Sequence, residues 1–459
     1  MNSLLMLFLL TVLQLVAGSG LLALLKIRMK LFSHISLSVI LGIAIFSLLP
    51  FLLQLSYVPL TKQNILYAII ASCIVLNVKW KYNYETFAKI SKGYLFKTSF
   101  YEIPFIIFIT FLLFLSCWRS FYLPPTPRDL TSGPEVLAEY AVKEKTLVNS
   151  VFTVNLETTN NQYKPAYIAS LQIIYKYCGF PFGDIWQGLL TVCFIIFLYN
   201  CLRLKLHRII CYFLICAFLA IPEMYGYTFM VLFDYSNAVF LFLCFYFLFV
   251  YFQERAWNYL LFASLLLGVA TYIRSETLLF GFFMLPILLA WNIRSKASFP
   301  VIAKSVFYFL IPAAILYFIS VPFYIHQYLP VKYEINNQIN DHLTEIAPLV
   351  TRFFEMNRQL IFGSNSAVLY GTFIYLFIIL FVLELAFAKK LSGETVNWLT
   401  AICIIYLGLP LIGFLLPLFD LGNTTKRGLF KIFPLMLLYM STNQVLLNLS
   451  KKIEKLESR

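Results

Sequence analysis

Nine ionisable residues in this chain stand beside apolar runs, where charge has a cost and therefore a purpose: Asp129, Glu135, Lys164, Glu223, Asp234, Arg274, Glu276, Lys426 and Arg427. Asp129 and Glu135 follow a proline-rich stretch (Pro124, Pro125, Pro127) that holds the backbone extended, and the pattern from Ser132 to Glu135 predicts a helix starting near Pro134. A carboxylate in such a place can act as general base for a hydroxyl or as a cation ligand; a solvated loop acid is the alternative. Asp234 falls inside an apolar run, so it needs a partner and is a functional candidate, the alternative being a structural hydrogen bond to a neighbouring Tyr or Asn. Arg274 offers a fork of donors suited to phosphate or carboxylate. Arg274 and Glu276 are two residues apart, so on a helix they would face different partners; pairing of Arg274 with Asp234 or Glu276 as a buried bridge is the bland reading. Lys426 and Arg427 open the last apolar run, where backbone donors and cationic side chains together can hold an anion. Lys431, one turn further, reads as snorkelling to an interface.

The elements that must carry these residues follow from composition. Of 459 residues, 61% are hydrophobic and 12% charged, against roughly a quarter charged in soluble proteins. That is too little charge to cover a water-facing surface, and it makes the chain an all-α polytopic membrane protein. The net charge of +14 is divided among short clusters between apolar runs, a topology signal that argues against nucleic acid as a partner. The nine cysteines show no CxxC or Cys/His spacing, so neither a disulfide scaffold nor a zinc site is expected, and no metal ligand set is assigned.

A ruler of about 20 apolar residues per span gives about 13 transmembrane helices, near 2–25, 35–57, 64–78, 102–118, 184–202, 208–222, 226–251, 257–273, 276–292, 304–323, 366–387, 396–418 and 428–447. Alternate connections hold most of the 35 basic residues, among them Lys26, Arg28, Lys79, Lys81, Arg203, Lys205, Arg294, Lys451 and Lys452, which places the N-terminus outside and the C-terminus inside. The segment 166–178 is apolar but short and reads as an interfacial helix on the outer face, with Tyr167, Tyr175 and Tyr177 in an aromatic belt. Two long outer loops remain, 119–183 and 324–365. The second, with Lys332, Glu334, Asp341, His342, Glu345, Arg352, Glu355 and Arg358, reads as an amphipathic lid or a solvated loop.

The order of these elements resembles the GT-C superfamily of integral membrane glycosyltransferases, in particular the protein O-mannosyltransferase and aminoarabinose transferase group. The resemblance rests on an acidic first outer loop, KPAYIASL from Lys164, FDYSNAVF around Asp234, GVATYIRSETLLF from Gly268 to Phe280, and KRGLFKIFPLMLL from Lys426. Ser275 and Glu276 stand where the family's turn has its proline and acid. The implied organisation is three additional N-terminal helices (1–100), a GT-C-like core (101–447) and a basic cytoplasmic tail (448–459). The resemblance implies transfer of a sugar from a polyprenyl-phosphate donor to a glycan, lipid or protein acceptor. Its expected setting is the outer, periplasmic face of a bacterial plasma (inner) membrane. On that reading Asp129 is the base, with Glu135 as substitute; Arg274, Lys426 and Arg427 hold the lipid phosphate; and Asp234 orients the sugar or Arg274. Lys164, Glu223 and Glu276 join the substrate-binding set, and the displacement inverts the anomeric carbon. A divalent cation is compatible with this chemistry, though no ligand cluster calls for one. The competing readings are a transporter or flippase of a lipid-linked glycan, with Asp234 as a cation site, and a polysaccharide polymerase or ligase of another fold.

Overall fold

A computed structural model describes residues 3–81, 99–122, 133–153, 164–179, 183–325, 345–363, 366–388, 390–416 and 420–457. Among them there is no strand, and apolar helices carry the whole fold. The first three are α1 (Ser3–Leu24), α2 (Leu31–Leu55) and α3 (Lys62–Leu76), followed by α4 (Ile103–Tyr122). Two short helices, α5 (Pro134–Glu144) and α6 (Tyr167–Tyr177), precede α7 (Ile185–Leu202), α8 (Arg208–Leu219) and the single turn α9 (Pro222–Gly226). The core continues with α10 (Phe233–Glu254), α11 (Trp257–Ile273), α12 (Thr277–Arg294) and α13 (Phe299–Ser320). After α14 (Ile346–Met356) come α15 (Phe373–Phe387), α16 (Gly393–Leu415), α17 (Phe433–Thr442) and α18 (Gln444–Glu457).

Each of the expected apolar segments contains a helix, but they are not of one kind. Among the described residues, eight are long and apolar enough to cross a bilayer, or nine if the bent pair that ends in α17 and α18, with 56° between its halves, counts as one span. Helices α3, α8, α11 and α15 are shorter, at 15, 12, 17 and 15 residues. At some of the expected segments apolarity runs past the helix ends. The run expected to span 226–251 begins as irregular backbone, and α10 starts only at Phe233. The bend before α18 is held by Glu384 of α15, which accepts from Tyr439 Oη (2.5 Å), Asn443 Nδ2 (3.2 Å) and the Gln444 amide (3.2 Å).

Helices α1 and α2 pack through small residues. A Cβ on Gly18 would lie 1.8 Å from the Ser38 carbonyl oxygen, and one on Gly42 would lie 2.1 Å from that of Gln14, so neither position admits a side chain at this separation. The pair braces later parts of the chain: Gln14 donates to Tyr175 Oη (3.0 Å), and the Phe51 ring lies 5.5 Å from Tyr272 and 5.1 Å from Tyr324.

Helix α6 is 11 residues long, about 16 Å, roughly half the hydrocarbon thickness. The short helix is as expected, yet Tyr167 and Tyr175 are fully buried. They belong to the protein interior and not to an aromatic belt, because α2, α5 and α11 close over α6.

At the end of the bundle where α4 and α8 begin, Arg208 pairs with the buried Glu102 (2.5 Å) and with Glu457 (3.3 Å), while His207 Nε2 lies 3.0 Å from Glu457. The expected basic tail is thus a helix through Glu457 that is tied back to the bundle.

Candidate functional site

Asp234 sits in the first turn of α10, Arg274 follows the last residue of α11, and Glu276 caps α12. Antiparallel neighbours place all three at one end of the bundle. Asn237, one turn after Asp234, fixes this junction by donating to the Ala270 carbonyl (2.8 Å) and to Thr277 Oγ1 (2.8 Å). Lys426 and Arg427 arrive from the start of the final apolar run, a helix of three residues followed by a 3-10 turn over Leu429–Lys431.

Asp234 is 1% exposed and bridges two guanidinium groups. Its Oδ1 meets Arg274 Nη1, and its Oδ2 lies 3.2 Å from Arg427 Nη1. Arg274 also pairs through Nε with Glu276. The expectation that Arg274 and Glu276 face apart assumed helical geometry. Arg274 is extended (φ −141°, ψ 113°), and that backbone turns both side chains toward one another. Both sequence-level partners of Arg274 are therefore engaged at once.

Lys164 reaches the same cluster from the segment before α6. Its ammonium lies 4.9 Å from the centre of the Phe233 ring. Burial pushes Lys164 down to about 8, Arg274 and Arg427 add to the push, and Asp234 and Glu276 oppose it. Lys431 is 2% exposed and stands within the field of Asp234, Glu276, Arg274 and Arg427, 5.9 Å from the Phe280 ring centre. This corrects the snorkelling assignment: Lys431 faces inward. No α-helical spacing marks this in the sequence, because Leu429–Lys431 is a 3-10 turn. Lys426 is set apart, its Nζ 2.6 Å from Glu223 at the start of α9.

Among the described residues the cluster thus has four cations, Lys164, Arg274, Arg427 and Lys431, and two carboxylates, Asp234 and Glu276. Buried ion pairs normally balance, because each unpaired charge costs several kcal/mol to desolvate. An excess of two positive charges in a buried position is the chemistry of an anion site. Next to it, Leu429, Ile432 and Phe433 line a cavity of about 180 Å³ with Phe377, Ile402 and Met436, its wall apolar but for Tyr406. One short stretch of chain therefore turns cations to one side and an apolar cavity to another.

Glu135 belongs elsewhere. It is buried in the first turn of α5, pairs with Lys176 and accepts from Gln172 Nε2 (2.8 Å), which also donates to Asp184 Oδ1 (2.7 Å). Trp186 Nε1 donates to Gln172 Oε1 (3.1 Å). Burial raises the Glu135 carboxyl against the pull of Lys176, and burial pushes Asp184 up to about 8. Sequence reading overlooked this second cluster; the i, i+4 pair Gln172 and Lys176 was its signal. Asp129 lies outside the described residues, as do Lys332, Glu334, Asp341 and His342. Among the described residues, no three His, Cys, Asp or Glu side chains are grouped to hold a metal ion.

Fold and site together define an all-α integral membrane protein with a buried, net-cationic centre at one end of its helix bundle. Residues 183–325, from the entry of α7 to the end of α13, match the family model described as dolichyl-phosphate-mannose-protein mannosyltransferase. The match supports the GT-C superfamily and, at that general level, glycosyl transfer from a polyprenyl-phosphate sugar donor. It takes in Glu223, Asp234, Arg274 and Glu276. No curated protein and no solved structure matches the chain.

Proposed function

We propose that this protein transfers a sugar from a polyprenyl-phosphate donor to a glycan, lipid or protein acceptor at the outer face of a bacterial plasma membrane. The observation that carries the reading is the excess of two positive charges around Asp234 among the described residues, beside a mainly apolar cavity. A lipid phosphate has the matching parts, an anionic head and an apolar tail. Arg274, Arg427, Lys431 and Lys164 hold the phosphate, and Asp234 fixes the two guanidinium groups so that their donors do not reorganise as charge develops on the leaving oxygen. Glu276 anchors Arg274 from the other side. Lys426, paired with Glu223, supports the entrance of the site.

The displacement is a single step. The acceptor oxygen bonds to the anomeric carbon as the bond from that carbon to the phosphate oxygen breaks, the electron pair leaves with the phosphate, and configuration inverts. The acceptor proton passes to a carboxylate, assigned to Asp129. Glu135 has its oxygens committed to Lys176 and Gln172, and its role is to hold α5 on α6.

Purified protein in lipid nanodiscs, incubated with a pool of polyprenyl-linked sugars and candidate acceptors, tests this by mass spectrometry of the lipids. The expected result is conversion of one polyprenyl-phosphate sugar to free polyprenyl phosphate. Asp129→Asn lowers turnover by about 10²–10⁴-fold with lipid binding kept, the usual worth of a general base. Glu135→Gln leaves turnover within a few-fold but lowers the unfolding temperature. Lipids unchanged across the whole pool, with the protein folded, would overturn the transferase and favour a flippase.

A further inference from the structure

Helix α10 is 22 residues long, about 33 Å from Asp234 to its far end, close to the thickness of a bilayer core. Its far end is not bare. Arg255, in the left-handed conformation (φ 55°) that favours glycine, closes α10, and Arg294 closes α12. Between them and the start of α16 is an open cavity of about 420 Å³, lined also by Gln253, Trp291 and Asn397, within the range of about 300–1,000 Å³ typical of small-ligand sites. Glu394 lies in the wall, but its carboxylate is paired with Lys205. Among the described residues neither arginine has an acid partner. The Arg255 guanidinium lies 5.8 Å from the Trp291 ring centre, and that ring stacks on Phe252 at 4.9 Å.

We propose that this cavity binds the headgroup of an anionic phospholipid. Two arginine forks and two side-chain amides suit phosphate oxygens. The surroundings select a membrane lipid over a free phosphate. Ile293, near the end of α12, and Phe299, which opens α13 four residues beyond Ser295 of the cavity wall, are 67% and 80% exposed. Nearby, Lys304 Nζ lies over the rings of Trp257 (5.0 Å) and Tyr308 (5.5 Å). An aromatic and basic girdle of this kind marks a membrane boundary, where acyl chains can lie along the apolar residues while the phosphate enters the cavity. The headgroup would join the ends of α10, α12 and α16, the helices whose other ends carry or adjoin the Asp234 cluster.

Native mass spectrometry of the full chain, released from micelles doped with phosphatidylglycerol, cardiolipin or phosphatidylcholine, tests the site. The wild type is expected to retain anionic lipid in preference to phosphatidylcholine, with the preference shrinking as salt rises. Arg255→Gln/Arg294→Gln is expected to lose one bound anionic lipid, each arginine contributing about fivefold to the dissociation constant and the pair about 25-fold. Arg255→Lys/Arg294→Lys, which keeps the charge, retains part of the preference. Equal retention of the three lipids, a preference independent of salt in the wild type, or full retention by the glutamine variant would overturn the proposal. Inorganic phosphate protecting the wild type from thermal unfolding as well as the anionic lipids do would assign the cavity to a free anion and overturn the lipid.

Discussion

Lys164 connects two facts about the candidate site, its excess of positive charge and the burial of that charge. Held down to about 8 by burial and by Arg274, its ammonium loses its proton well below the ordinary lysine range. A bound phosphate favours the charged form, so above about pH 8 donor binding must draw a proton from solution. Donor affinity is therefore expected to be flat below about pH 8 and to fall above it, by up to about tenfold per pH unit for one linked proton. Donor KM measured across that range checks this, and Lys164→Arg should keep KM flat to higher pH. A wild-type KM indifferent to pH would remove Lys164 from the phosphate site. The second cluster gives the opposite kind of linkage. The Asp184 carboxyl, raised to about 8, keeps a proton in the folded state that the unfolded chain releases near 4. The folded state binds more protons between those values, so stability falls as pH rises from about 4 to about 8. Asp184→Asn is expected to remove this loss and to raise the unfolding temperature most at and above about pH 8, by about 1 °C per kcal/mol recovered in a chain of this length. Equal gains at acid and alkaline pH would mean that Asp184 does not titrate in this way. Asp234, Arg274 and Arg427 were legible as candidates because charge in an apolar run announces itself, and the fold brings the three together. Lys431 was not, since its placement depends on a turn of 3-10 geometry that rotates it inward. Glu135 was legible as an outer-loop acid near a helix start but not as a buried partner of Lys176, because that pairing joins residues whose proximity only the fold creates.

Elements of the chain are held to the site by contacts that leave little room. Helix α2 packs against α6 and α7, so the α1–α2 pair backs the segment from which Lys164 projects. The three N-terminal helices, which the resemblance left without a role, are in this reading a buttress for α6. One close approach within them is at Gly42, where a Cβ would lie 2.1 Å from the Gln14 carbonyl oxygen, in the same residue whose side chain donates to Tyr175. Gly42→Val must force α1 and α2 apart and stretch the Gln14–Tyr175 bond. A destabilisation of about 1–3 kcal/mol is expected from such overpacking, read as a lower unfolding temperature in detergent and a raised donor KM with the acceptor KM little changed. Gly393, which has open space around it, serves as the control: Gly393→Ala should leave both quantities unchanged. An unfolding temperature unchanged in Gly42→Val would show that the two helices are not pressed together. The existence of most of the long helices could be read from apolar runs alone, but not all of their lengths. Polar residues that end a helix, such as the Arg274 turn and the irregular stretch before Phe233, sit within apolar surroundings, so hydropathy runs on where hydrogen bonding stops.

At the scale of the whole molecule, the two ends of the bundle differ in kind. One end buries its charges in the Asp234 cluster, with Lys164, Glu276, Arg427 and Lys431 turned inward. The other carries its basic residues outward, with Arg255 and Arg294 open to solvent and Lys451, Lys452 and Lys455 along α18. Outward-facing Lys and Arg in short connections resist translocation, whereas buried, paired cations do not bear on orientation in the same way. The end with Arg255 and α18 should then be cytoplasmic and the Asp234 cluster should face the exterior, which is where a lipid-linked sugar donor would be presented. Single cysteines in a cysteine-free background, labelled with a membrane-impermeant maleimide on intact cells, test the orientation directly. Gly422→Cys, beside the Asp234 end and with open space around it, is expected to label on intact cells. Lys452→Cys on α18 is expected to label only after the membrane is opened. The reverse pattern would put the candidate site in the cytoplasm, where a nucleotide-activated sugar becomes the natural donor, and the apolar cavity beside Lys431 would then need a different occupant.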